Sequence, residues 1–474
     1  MSTRNQPDPQ PAPSRPQPTS VRDQATRPTE VPRSAPPHAA RPQLVQRPRR
    51  TPPNAPVPPA GAEEVKRERL YSLDAYRGFI MLILAGAGFG ILQVSQLPPE
   101  APVWNYIDYD FGQRIGFNFQ HTVWQSDFDW IGVSFWDLLQ PAFMFIVGVA
   151  MPFSYARRAT SGEGAVSRTI HAVFRALVLI LLGVFLCSTD TRETNWNFVN
   201  VLSQIGLGYV FVYLIMTVAR RFWIQALLLV LILAGYWGWF YSYTPPADYD
   251  YAAVHASGDE ILTGRFASWS KNANVAHHAD VVFLNQFPRP GDEQFKFNEG
   301  GYQTFNFIPA IGTTLLGVFC GQLLLSDRRW WQKFFLLVIG GGVCLGLGIL
   351  AGQYACPIVK RIWTPSWVLY SGAYVIWGLA AFYLLFDLCR LRWLAWPLVV
   401  VGMNSLAFYL MGMLLRPWAE KTMNTHFSVL WAALIDSKWL ADDMFGRMVA
   451  PISAVILFWL IGLWMYSKKY FVRI

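Results

Sequence analysis

Beyond residue 70 the chain is a series of long apolar runs separated by charged turns, and ten of these runs are long enough to cross a bilayer as helices. They fall near residues 72–95, 133–155, 168–187, 199–219, 222–243, 305–325, 331–351, 366–387, 393–415 and 447–467. The pattern predicts an all-α, polytopic integral membrane helix bundle with about ten transmembrane helices. The first run has the weakest helical signal, because Gly86, Gly88 and Gly90 lower helix propensity there. In a membrane the same small residues let helices approach closely. No internal sequence repeat is evident.

Residues 1–66 read differently. They are dense in Pro, Arg, Gln, Ser and Thr and nearly free of large apolar side chains, so a disordered tail is expected there, with the membrane domain over 67–474. The tail has no apolar h-region and does not read as a secretory signal. The connections between runs separate by charge. Arg157, Arg158, Arg168, Arg220, Arg221, Arg328, Arg329, Lys333, Arg390, Arg392, Lys468 and Lys469 share one side with the N-terminus. The long loops 96–132, 244–304 and 416–446 lie on the other. The positive-inside rule then expects both termini in the cytoplasm and His121 outside.

Composition agrees with this picture. The chain is 53% hydrophobic and only 15% charged, against about 25% charged for an ordinary soluble protein. Its net charge of +9 sits in the tail and in short turns, with no helix-turn-helix, zinc-finger or RNA-recognition signature, so nucleic acid is not an expected partner. Five cysteines show no C-x-x-C or metal spacing. Cys187 and Cys356 fall at outer ends of runs, and whether they pair is left open.

Polar residues inside or beside apolar runs are the candidates for chemistry. His121 stands in an aromatic outer loop near Trp124, Trp130 and Trp136. An imidazole there can act as a general base, but an interfacial histidine beside an aromatic belt is the simpler local reading. Asp137 marks the outer end of the second run, where a carboxylate is costly unless paired or hydrated. It could orient His121, hold substrate, or stand solvated at a helix start. Asp74 and Arg77, three residues apart, read as a structural pair, with Ser72 as N-cap. Lys360 is a cation in a Trp-rich outer loop, able to hold a ligand or to snorkel. Asn404 and Ser405 put polar groups in the ninth run, bridging helices or touching ligand. Arg175 in the third run is a substrate contact or reaches the inner face. His255, His277, His278 and Asp280 have no recognised metal spacing, and no metal is expected. Nucleotide-binding and hydrolase motifs are absent from the sequence.

In order along the chain, several segments resemble the heparan-α-glucosaminide N-acetyltransferase family and its bacterial relatives. They are Ser72-Leu-Asp-Ala-Tyr-Arg77-Gly78, His121-x-x-Trp124 with Asp137-x-x-x-Pro141-x-Phe-Met-Phe-Ile-Val-Gly148, and Val201-Leu-Ser-Gln-Ile-Gly206. Pro309-Ala-Ile-Gly-Thr-Thr-Leu-Leu-Gly317, Pro357-x-x-Lys360-x-x-Trp363-x-x-Ser366 and Gly402-Met-Asn404-Ser405 follow. The resemblance implies a multi-pass acetyltransferase that takes acetyl-CoA from the cytosol and acetylates a sugar on the far side. It makes His121 the catalytic histidine, with Asp137 beside it. Trp124, Arg175, Lys360, Trp363, Asn404 and Ser405 become substrate contacts. Two positions depart from the family's pattern: residues 126–131 are extra, and Gly88 stands where the animal enzyme has asparagine. The tail and long outer loops suit a bacterial inner membrane.

The expected function is therefore acetyl transfer from acetyl-CoA to an amine or hydroxyl of a periplasmic sugar or glycan. A solute transporter built on Gly- and Pro-broken spans, or a non-catalytic scaffold descended from the enzyme, is the alternative. Acceptor and oligomeric state are not legible.

Overall fold

A computed structural model describes residues 70–126, 133–434 and 447–472. The expected tail, residues 127–131 with Trp130 from the segment expected to be extra, and part of the loop 416–446 lie outside the described residues. Among the described residues there is no strand. The helices are α1 (Tyr71–Ala85), α2 (Ile91–Ser95), α3 (Tyr109–Phe117), α4 (Phe135–Thr160), α5 (Ala165–Cys187), α6 (Val201–Val218), α7 (Phe222–Tyr241) and α8 (Val275–Leu284). They continue with α9 (Phe307–Leu325), α10 (Trp330–Tyr354), α11 (Pro365–Phe382), α12 (Arg392–Gly402), α13 (Ser405–Leu414), α14 (Arg416–Leu434) and α15 (Ala450–Ser467).

Among the described residues eight helical segments are long and apolar enough to cross a membrane, and the number is ten if each of two bent pairs is one span. The protein is a multi-pass, all-helical membrane protein, as the apolar pattern predicts. The first span breaks by 54° between α1 and α2. Ala87, Gly88, Phe89 and Gly90 all lie in the left-handed region there, with φ of 46°, 66°, 58° and 74°. Ala87 and Phe89 have Cβ atoms that oppose this conformation, so surrounding contacts must hold the break in place. The second break, 63° between α12 and α13, falls in a run that reads as continuous. Asn404 stands at this break, and its side-chain amide donates to Tyr470 O at 3.1 Å and accepts from Val472 N at 3.0 Å.

Lipid supplies no hydrophobic drive between helices, so close backbone approach must hold them together. Glycine provides it. A Cβ on Gly148 of α4 would lie 2.0 Å from Thr314 O of α9, and one on Gly317 of α9 would lie 2.1 Å from Phe145 O of α4. Gly78 of α1 and Gly402 of α12 meet in the same way, each 1.8 Å from a carbonyl oxygen of the other helix. The α4–α9 pair runs through the core and carries Asp137 at one end. Gly317→Ala is therefore expected to destabilise the protein by about 1–3 kcal/mol or more through overpacking. Gly346→Ala on α10, where nothing lies within reach of a new Cβ, is expected to be neutral or mildly stabilising. Thermal denaturation in one detergent compares the two.

The start of α1 corrects one expectation. The helix begins at Tyr71, so Ser72 lies inside it and is not the cap. Asp387 instead accepts the backbone N–H groups of Tyr71 at 3.0 Å and Ser72 at 3.3 Å, capping the helix from a distant turn. Asp74 and Arg77 do pair, at 3.9 Å.

Candidate active site

Three residues from separate parts of the chain converge at the N-terminal end of α4. Ser134 caps this helix, accepting from Asp137 N–H and donating to Gln120 O at 2.6 Å. Trp136 N–H donates to Asn118 O. These contacts fold residues 118–122 back over the first turn of α4. Asp137 Oδ1 then lies 2.7 Å from His121 Nδ1, and Oδ2 accepts from Thr122 N–H at 3.2 Å and Thr122 Oγ1 at 2.9 Å. Lys360 Nζ reaches the same Oδ1 at 2.8 Å and stands 3.1 Å from His121 Nδ1.

The geometry assigns the tautomer. An ionised carboxylate only accepts, so Nδ1 carries its proton toward Asp137 and Nε2 is left as a base. Lys360 and His121 thus converge as two donors on one oxygen, and the ammonium does not bond the imidazole. The side chains of Asp137 and Lys360 are 3% and 9% exposed, whereas that of His121 is 45% exposed. A buried, neutralised ion pair therefore orients an imidazole whose outer face is open.

The residues on both sides of Lys360 are tied to other parts of the chain. Its loop receives Ser126 N–H on Ile358 O, Asn306 Nδ2 on Arg361 O at 2.7 Å and Tyr236 Oη on Ile362 O at 3.0 Å. The next residue, Arg361, pairs with Glu260 at 3.7 Å, and Glu260 also binds Lys271 at 2.8 Å. The long connection between α7 and α9 is tied down at the same place, since Asp259 Oδ2 accepts Trp124 N–H at 3.3 Å.

The remaining sequence candidates separate. Trp124 and Trp363, expected to meet substrate, are buried and occupied with protein. Trp124 Nε1 donates to Trp269 O and Trp363 Nε1 to Thr313 Oγ1. They position the loops of His121 and Lys360 and present no free face to a ligand. Asn404 is bonded to the C-terminal segment, with Ser405 beside it at the α12–α13 break, so neither joins His121. The histidines of the α7–α9 connection have separate partners: His255 meets Glu299, while His278 meets Tyr243. His277 and Asp280 are buried in α8, and burial pushes the imidazole down to about 4 and the carboxyl up to about 7. Asp280 Oδ2 accepts Thr304 N–H at 2.7 Å, fixing the entry to α9. Cys187 and Cys356 are both free thiols, and Cys356 Sγ sits 3.4 Å from Ser366 Oγ.

Arg175 belongs to a second polar site at the far end of α4. Arg158, Arg168, His171 and Arg175 line a small pocket with Tyr155, Tyr209 and Tyr213. Arg168 lies over the Tyr155 ring at 4.7 Å and Arg175 over Tyr209 at 5.0 Å. The Nε atoms of both are buried without a partner. A rise of 1.5 Å per residue puts Arg158 roughly 31 Å from Asp137, about one membrane thickness.

Sequence reading missed Thr122, Ser134 and the Glu260–Lys271–Arg361 cluster. Ser134-x-x-Asp137 does carry a signal, because that spacing before an apolar run marks a helix start.

No family model matches the chain. It is similar to heparan-alpha-glucosaminide N-acetyltransferase of Mus musculus, 21% identical over 451 residues that cover 86% of this chain and 60% of that protein. It is also similar to the Homo sapiens protein of the same name, 22% identical over 445 residues with the same coverage. The chain thus spans 60% of the length of these curated relatives and is a distant relative of them.

Proposed function

We propose that the protein is a membrane acetyltransferase that moves an acetyl group from acetyl-CoA to an amine or hydroxyl of a sugar or glycan on the opposite face of the membrane. The observation that carries this reading is the Lys360–Asp137–His121 arrangement, a pre-oriented, half-exposed imidazole beside a buried cation. The distant N-acetyltransferase relatives supply the reaction type.

In the proposed reaction the acceptor nitrogen or oxygen attacks the thioester carbonyl carbon, forming the new C–N or C–O bond, while His121 Nε2 takes its proton. Collapse of the tetrahedral intermediate breaks the C–S bond, and the departing thiolate recovers that proton as free CoA. Asp137 holds the imidazole and balances its charge when protonated. Lys360 provides a positive field near the developing oxyanion. The arginine pocket suits the donor's phosphates, since guanidinium groups bind phosphate in fixed, multidentate geometry. By the charge of its flanking turns this end faces the cytoplasm, with His121 in the periplasm of a bacterial inner membrane.

The test uses purified full-length protein, labelled acetyl-CoA and a panel of amino sugars, hexoses and glycan fragments. Label on one acceptor supports the reading. No transfer together with no binding of a non-hydrolysable acetyl-CoA thioether sinks it. Arg168→Ala and Arg175→Ala are each expected to raise KM for acetyl-CoA about tenfold, the value of one lost charged hydrogen bond, with kcat little changed. The two broken spans favour one alternative, a transporter. Uptake of sugar into vesicles that lack acetyl-CoA would establish that function instead.

A further inference from the structure

A large cavity lies away from His121. It is a cleft of about 990 Å³ between α7 and α10, floored by α9 and α11. Leu229, Leu233, Phe319, Val343 and Leu347 make its walls apolar. The packing of α10 explains why it stays open. Gly341 and Gly348 turn toward Trp377 and Tyr370 of α11, whereas Gly340 on the cleft side has nothing within reach. From Leu336 to Ala355, both in the lining, α10 rises roughly 28 Å, close to the thickness of the hydrocarbon layer. The cleft therefore opens to lipid over most of the membrane's depth.

Its ends differ in charge. Gln322, Ser326 and Arg328 provide polar lining at one end, where Arg220 and Arg221 lead into α7 and Arg329 and Lys333 flank the start of α10. Asp327 is the one acid in these two turns. Lys333 donates to Leu324 O at 2.8 Å. Arg221 and Arg328 are exposed and have no ion-pair partner among the described residues. A long apolar slot ending in unpartnered guanidinium groups matches a molecule with an anionic head and a hydrocarbon tail.

We propose that this end of the cleft is a binding site for one anionic glycerophospholipid. Its phosphate lies between Arg221 and Arg328, and one acyl chain runs along Phe319, Leu323 and Leu229. The site is separate from the proposed acetyl transfer and stands or falls independently of it.

The test is native mass spectrometry of the full-length protein in detergent, loaded with phosphatidylglycerol or phosphatidylcholine of equal chain length. Wild type is expected to retain phosphatidylglycerol several-fold better than phosphatidylcholine. Arg221→Glu/Arg328→Glu, on a protein with unchanged circular dichroism, is expected to lower phosphatidylglycerol retention at least about tenfold and to abolish the preference over phosphatidylcholine. Gly340→Leu, which narrows the slot, is expected to lower retention of both. Equal retention of the two lipids by wild type, or undiminished phosphatidylglycerol on the charge-reversed variant, overturns the proposal. So does efficient disulfide cross-linking between copies carrying Val343→Cys, which would make a second copy of this chain the occupant.

Discussion

Replacing His121 with alanine is expected to lower the proposed acetyl transfer by roughly 10²–10⁴-fold, the usual contribution of a positioned general base. The fold should survive, because the ring is 45% exposed and contributes little burial. Its bond to Asp137 is one of several on that carboxylate, and Lys360 and Thr122 remain in place. The loss should therefore appear in kcat, with thermal midpoint and donor affinity close to wild type. His121→Gln provides the control for hydrogen bonding alone. Its amide can still donate to Asp137 but has no basic nitrogen, so it should fall with the alanine variant. Rapid quenching of the wild type with labelled donor also separates two chemistries. Label on the protein, absent from His121→Ala, would show that the imidazole carries the acetyl group. Label on the acceptor alone would leave it as a base. Transfer within a few-fold of wild type in both variants would remove His121 from the mechanism.

The membrane architecture was readable because the bilayer imposes a length on each apolar run, and ten runs of that length became eight unbroken spans and two bent ones. Bending was only half visible. Gly86, Gly88 and Gly90 announce the first break, but the second stands where Asn404 meets the backbone of Tyr470 and Val472. That contact joins positions no local pattern connects. The site shows the same division. His121 and Asp137 are 16 positions apart and stand at a recognisable helix start, so their partnership could be expected. Lys360 lies 239 positions from His121 and appears in sequence as an isolated cation in an outer loop. Trp124 and Trp363, substrate contacts by the family resemblance, are buried against protein. Residue type was legible, whereas the partner that decides each role was set by the packing of α4, α9 and the long loops.

That packing leads to the second large effect. Lys360→Met is expected to destabilise the protein by about 3–5 kcal/mol, since it strands a carboxylate that is almost fully buried. Asp137 would keep His121 and Thr122 as hydrogen-bond partners, but no permanent positive charge would remain beside it. Asp137→Asn produces the mirror defect. The asparagine oxygen still accepts from His121 Nδ1–H, while Lys360 becomes a buried cation facing a neutral amide. Combining the two removes both charges together, so the double variant should be more stable than the sum of the single losses implies. The coupling expected for contacting residues is about 0.5–3 kcal/mol. Denaturation of all four proteins in one detergent measures it. Additive losses, or a Lys360→Met protein as stable as wild type, would mean that the ion pair does not hold the site together. Activity then separates structure from chemistry: the double variant, though refastened, has lost the charges that balance a protonated imidazole and an oxyanion, and it should remain deeply impaired in acetyl transfer.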